Sequence, residues 1–159
     1  FGRLPAGDRT QIPNPGVNTY RTSDDRFISL ILLQSDKHWD ELCERLDRPD
    51  PATDPKFADS TVRAENTSEC IAQLDEAFGS QTLEYWRERL ESFSGVWTPF
   101  QTLTELYEDV QAVANVYLPT METANGDQVQ LVAIPAQFDE TPVAVERAPE
   151  LGEIGRAHV

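Results

Sequence analysis

Apolar positions recur along this chain with two periods, and the switches between them mark out its elements. Residues 19–33 (TYRTSDDRFISLILL) read as a β-hairpin: residues 20–22 form one arm, Ser23-Asp24-Asp25 the turn, and residues 27–33 the other. The second arm is almost continuously apolar, which predicts a strand covered on both faces. The period then lengthens. In SDKHWDELCERL, Trp39, Leu42, Cys43 and Leu46 fall on one helical face, with Ser35 or Asp36 placed to cap it. Residues 48–59 (RPDPATDPKFAD) hold Pro49, Pro51 and Pro55, which predicts an extended loop with one short helical turn at its end.

Asn66-Thr67-Ser68-Glu69 has the form of a capping box, opening a helix with Ile71, Leu74 and Phe78 on one face and Gly79 at its end. In TLEYWRERLESF the stripe is Leu83, Trp86, Leu90 and Phe93, stopped by Ser94-Gly95. A short WTPF strand precedes a second capping box, Thr102 to Glu105, and a helix carrying Leu103, Leu106, Tyr107 and Val110. Residues 117–135 (YLPTMETANGDQVQLVAIP) predict a hairpin turning at Asn125-Gly126. Before all of these, residues 1–18 have the proline and glycine content of a linker or ordered loop. No repeat or low-complexity stretch interrupts this order.

Charge narrows the possible partners. The 159 residues hold 13 Lys and Arg against 28 Asp and Glu, a net charge of −15, which argues against nucleic acid or an anionic membrane. Arg45, Arg48, Arg63, Arg87 and Arg89 alternate with acids rather than clustering, so no basic pocket for phosphate is visible. The longest apolar run, residues 30–33, is far too short to span a bilayer. Cys43 and Cys70 each lie inside an apolar helical pattern and read as buried free thiols of a reducing, cytoplasmic compartment.

Motifs that carry chemistry are mostly missing. There is no CxxC, HExxH, GxGxxG, GxSxG or P-loop. His38 has no second histidine near it, and a half-buried helix position explains it better than a ligand or base. Asp40, Glu44, Asp75, Glu84 and Glu88 fall on solvated helix faces, and Trp39, Trp86 and Trp97 read as core anchors. Residues alone therefore support an acidic α/β protein with no metal site and no catalytic group of its own.

The order of blocks goes further. NPGVNTYRTSDDRFISL, LQSDKHWDELCERLDRPD, DPKFADSTVRAENTSE, LDEAFGSQTLEYWRERL, GVWTPFQTLTELYEDVQAVANVYL and APELGE follow one another from residue 14 to residue 153. This series resembles the family III CoA-transferases (the CaiB/BaiF family), which include formyl-CoA transferase, carnitine CoA-transferase and α-methylacyl-CoA racemase. The fold class implied is α/β: an α+β small domain plus a C-terminal return segment of a Rossmann-like large domain, in chains that form an interlaced homodimer. By that resemblance residues 1–18 are the linker from the large domain, residues 19–109 the small domain and residues 110–153 the return segment.

The resemblance also implies the chemistry. An aspartate attacks an acyl-CoA thioester and CoA passes to an acceptor carboxylic acid; that aspartate is expected upstream, so no catalytic residue is assigned here. CoA enters as a thioester substrate, with no tightly bound cofactor. Two places are expected to face the active site: the Asn14-Pro15-Gly16 loop, which matches in position a glycine-containing loop over the formyl-CoA transferase site, and Gln34. Racemases of the family carry an acid near Gln34; an amide is no general base, which tilts the expectation from racemase to transferase. A dimerisation or binding module without catalysis is the reading from another class. Asp25 stands where the family usually has glycine, at a small local cost in left-handed backbone.

The two ends carry an expectation of their own. The chain opens on Phe1 and its only methionine is Met121, which suggests an internal or C-terminal stretch of a longer protein. Residues 154–159 replace the family's usual continuation after Leu151-Gly152-Glu153. The codons GAG ATC GGA AGA GCA CAC GTC encode residues 153–159 and reproduce the start of a common sequencing adapter. Residues 154–159, His158 among them, are therefore expected to be read-through rather than protein.

Overall fold

The computed structural model describes residues 8–123 and 125–133, apart from the side chains of Pro49 and Asp50. The expectations for residues 1–7, 134–153 and 154–159 lie outside that range. Two compact units are present, one reaching Phe100 and the other beginning at Gln101. Both mix helices with small antiparallel sheets, as the α/β reading requires.

In the first unit a 3-10 turn, Arg9–Gln11, precedes strand β1 (Val17–Arg21) and strand β2 (Phe27–Ile31). They form the expected hairpin, with Thr19 opposite Ser29 and Tyr20 opposite Ile28. Asp25 sits in the turn at φ 61°, the left-handed geometry expected there, and its carboxylate pairs with Arg21 at 2.6 Å. Strand β3 (Trp97–Pro99) adds antiparallel to β2, which is therefore central. Only one face of β2 is covered. Ile28, Leu30 and Leu32 are buried, whereas Phe27 and Ile31 are 43% and 42% exposed. The expectation of cover on both faces is corrected: helices pack on one side of the sheet, and strand alternation sends every second side chain to the other.

Helices α1 (Ser35–Arg45), α4 (Thr67–Gly79) and α5 (Leu83–Leu90) supply the other layer. Their expected stripes are all buried, and Tyr20 stacks on Phe78 with ring centroids 5.1 Å apart. The starts of α1 and α4 depart from expectation. Helix α1 takes no side-chain cap; Ser35 and Asp36 turn instead to Arg63. No capping box forms at residues 66–69, because the Asn66 amide donates to the Val62 carbonyl at 2.9 Å and Glu69 pairs with Lys56 at 2.8 Å.

The proline-rich stretch is helical rather than extended: α2 (Pro49–Thr53), a 3-10 turn Pro55–Phe57, and α3 (Ser60–Glu65). Proline suits a first helical position because it has no N–H to leave unbonded. Asp54 and Asp59 cap the two later pieces, accepting from Lys56 N–H and from Thr61 and Val62 N–H.

In the second unit the expected helix is two. The Thr102–Glu105 box forms with both bonds, but α6 spans only Leu103–Leu106, and Asp109 then caps α7 (Val110–Ala114). Strands β4 (Thr120–Glu122) and β5 (Gln128–Gln130) make the predicted hairpin, with Gly126 at φ 87°. Helix α7 ends with Tyr117 N–H donating to Ala112 at 3.0 Å and Val116 N–H to Val113 at 3.1 Å. That closure puts Val116 at φ 54°, where a β-branched side chain is strained. Val116→Gly is expected to stabilise this closure by about 1 kcal/mol net of glycine's chain entropy. It would show as roughly fivefold slower hydrogen exchange at the Tyr117 amide.

Candidate active-site face

The chain reaches the sheet through a tightly bonded corner. Asn14 Oδ1 accepts the Gly16 N–H at 2.9 Å, Asn14 Nδ2 donates to the Leu32 carbonyl at 3.0 Å, and Leu32 N–H donates to the Gly16 carbonyl at 2.8 Å. Tyr20 Oη donates to the Pro15 carbonyl at 2.6 Å from inside the core. Gly16 is buried against the end of β2: a Cβ there would lie 3.0 Å from Leu32 Cβ and 3.1 Å from Asn14 Oδ1. Close approach of two backbone segments is the reason for glycine at this corner.

Beyond β2 the chain turns outward. Leu33 is 80% exposed, and Gln34 is also exposed, with its carbonyl accepting the Lys37 N–H at 3.1 Å as α1 begins. The start of α3 lies beside it. Ser60 Oγ donates to Asp36 Oδ2 at 2.9 Å, and the buried Arg63 holds Asp36, Ser35 Oγ and the Phe57 carbonyl. Between the corner and these two helix starts is an open hollow of about 570 Å³, lined by Pro13, Asn14, Leu33, Gln34, Lys37 and Ser60 among others. The structure thus brings Asn14 and Gln34 to one hollow and leaves Gly16 behind it, in the packing. Lys37 and Ser60 also line it; neither stood out in the sequence, because each reads as an ordinary polar residue near a helix start.

The hollow offers amides, a hydroxyl and an ammonium group, suited to binding rather than to bond making. Its one carboxylate, Asp36, is engaged by Arg63 and Ser60. Elsewhere, His38 Nδ1 lies 3.0 Å from Ser94 Oγ, which itself donates to Glu41 Oε2. With its only proton given to Glu41, the hydroxyl accepts from His38, the reverse of what activating a serine requires. No group of three His, Cys, Asp or Glu among the described residues could hold a metal ion.

A second cavity, about 270 Å³, lies between α1, α2 and α4 and is lined by Trp39, Cys43, Leu46, Cys70 and Leu74, with the Arg48–Glu76 ion pair among its walls. Both cysteines are free and buried, as expected. Burial pushes each thiol up to about 12, so neither is a thiolate nucleophile at neutral pH. The raised values carry a sign. Above the ordinary value of 9.0 the unfolded chain loses these protons first, so folding stability falls as pH climbs from about 9 towards 12. Thiol titration with Ellman's reagent is expected to be slow at pH 8 and complete, at two thiols, only in denaturant; fast reaction of the folded chain would contradict this.

Comparison with known proteins decides the family. The model described as CoA-transferase family III matches residues 2–154. The chain belongs to CoA-transferase family III. Among curated relatives it is 25% identical over 148 residues to cinnamoyl-CoA:phenyllactate CoA-transferase of Clostridium sporogenes, covering 92% of this chain and 36% of that one. It is 30% identical over 117 residues to formyl-CoA:oxalate CoA-transferase of Streptomyces coelicolor, covering 72% and 28%. Among solved structures, Rv3272 from Mycobacterium tuberculosis superposes with a TM-score of 0.64 at 27% identity, over 80% of this chain and 35% of that one. A CaiB/BaiF family protein from Brucella suis, at 22% identity and a TM-score of 0.69, shares the fold over 91% of this chain and 37% of its own. The chain thus spans about a third of the length of these relatives. The family is enzymatic and its members use CoA thioesters. No helix among the described residues is long and apolar enough to cross a membrane.

Proposed function

We propose that this chain is the C-terminal part of an enzyme that moves CoA between an acyl-CoA and a carboxylic acid. The family match over residues 2–154, with relatives named as CoA-transferases, carries this reading. In the full-length protein an aspartate outside this chain attacks the thioester carbonyl, expelling the CoA thiolate and leaving a mixed anhydride. The CoA is then handed to the acceptor acid through enzyme-bound intermediates. Residues 19–109 form the small domain, residues 110–153 return to the large domain, and two full-length chains make an interlaced dimer. Free, buried thiols favour a reducing compartment, the cytoplasm.

The small domain's part is to close the active site with the face that carries Asn14 and Gln34, the Gly16 corner acting as a fixed hinge rather than as a lid. At Gln34 an amide replaces the acid that proton transfer would use, which favours the transferase over a racemase. In the return segment Val110, Val113 and Val132 are exposed, apolar surface suited to packing on the large domain. Two experiments test this. The 159-residue chain is expected to show no CoA transfer while the full-length protein does, with hydroxylamine trapping the aspartyl intermediate; turnover by the short chain would overturn the assignment. Alone, the short chain is expected to bind a hydrophobic dye; a monomer free of dye would place residues 110–153 wrongly.

A further inference from the structure

We infer that Lys37 anchors the anionic end of a substrate, a carboxylate or a phosphate, in the hollow beside Asn14 and Gln34. The inference rests on the transferase reading and adds to it a residue and a charge. Its starting point is the fate of the other cations. Seven described Lys and Arg side chains are each paired with a carboxylate: Arg9, Arg21, Arg45, Arg48, Lys56, Arg63 and Arg89. In a chain with more than two acids per base, pairing is the default. Lys37 escapes it. Its ammonium makes no ion pair or hydrogen bond among the described residues, although Asp36 is its neighbour in sequence.

The reason is local. Arg63, buried at 1% exposure under the hollow, and Ser60 take the Asp36 carboxylate between them. The carboxylate lining the hollow is thus taken up, Glu41 one turn along α1 is held by Ser94 and Arg45, and the Lys37 ammonium lines the hollow without an ion pair. The Gln34 side chain, likewise without a hydrogen-bond partner, lines the same hollow and has N–H groups to offer an oxygen. Leu33 and Pro13 give an apolar wall for the body of a substrate. An ammonium beside an amide donor and an apolar wall suits a carboxylate or phosphate oxygen attached to a carbon skeleton. Two substrates of the proposed reaction offer one: the acceptor acid through its carboxylate, and CoA through its phosphates.

The test uses the full-length enzyme, wild type, Lys37→Met and Lys37→Arg. Calorimetry measures binding of CoA, of pantetheine (the same thiol arm without CoA's nucleotide phosphates), of phenyllactate and oxalate, and of phenyllactamide as the neutral control. CoA transfer is assayed in parallel for KM and kcat. Lys37→Met is expected to weaken one anionic ligand about tenfold, the scale of one charge-assisted hydrogen bond, and to leave pantetheine and the neutral amide unchanged. Lys37→Arg should restore most of the loss. A loss confined to phenyllactate or oxalate identifies the acceptor carboxylate; one confined to CoA identifies its phosphates. A change under twofold for every anion, or wild-type protein that binds none of them, overturns the inference. Transfer that is independent of Lys37 leaves the transferase reading standing without it. Binding that depends on Lys37 in a protein that transfers no CoA does the opposite.

Discussion

Arg63→Ala is expected to cost about 3 kcal/mol of folding stability or more, one of the two largest losses for a single side chain in this protein. Arg63 is 1% exposed, yet its charge is fully engaged. Nη1 donates to the Phe57 carbonyl at 2.6 Å, Nη2 to Ser35 Oγ at 3.3 Å and to Asp36, and the guanidinium carbon lies 4.5 Å from the Trp39 ring centroid. The ion pair is not the main term, because the Asp36 side chain is 55% exposed and water screens it. The cost comes from a void beside Trp39 and from the Phe57 carbonyl left without a donor. Arg63→Lys should recover less than half, since one ammonium cannot reach three partners in a planar fork. Urea unfolding checks this; a loss below about 1 kcal/mol for the alanine variant would mean that Arg63 is not integral to the packing.

That residue also marks the limit of what the sequence discloses. In the sequence Arg63 is one of several arginines alternating with acids, with nothing to separate a buried one from the rest. Local periodicity was enough for α1, α4 and α5, because their apolar stripes answer to one core regardless of what else is nearby. It failed where a choice between partners decides the outcome. Asn66 and Glu69 have the spacing of a capping box, but the Val62 carbonyl one turn back and Lys56, brought close by folding, take them instead. The prolines of residues 49–55 read as breakers, although each helical piece that begins with proline loses no bond by it. The candidate site was half legible for the same reason. Asn14 and Gln34 were singled out through a family resemblance, whereas Lys37 becomes notable only once the fold sets it, without an ion pair, in the same hollow.

Trp86→Ala is expected to cost about 4 kcal/mol, and here sequence and structure agree on the cause. Trp86 is buried in an aromatic row: its ring centroid lies 5.2 Å from Phe78 and 5.0 Å from Tyr85, and Phe78 stacks in turn on Tyr20 of β1. Its indole N–H donates to the Phe78 carbonyl at 2.9 Å, so truncation opens a cavity and also strands a buried acceptor. Trp86→Phe keeps an aromatic ring and loses the bond, and should cost about 1–2 kcal/mol, which separates the two contributions. The row joins α5 and α4 to the sheet, and Tyr20 carries it onward to the Pro15 carbonyl, one residue from both Asn14 and Gly16. Loosening Trp86 should therefore be felt at the corner that shapes the hollow. In the full-length enzyme a destabilised Trp86→Phe protein, assayed well below its melting temperature, is expected to bind substrate anions more weakly than wild type. Unchanged binding would mean that the corner holds its shape without the aromatic row.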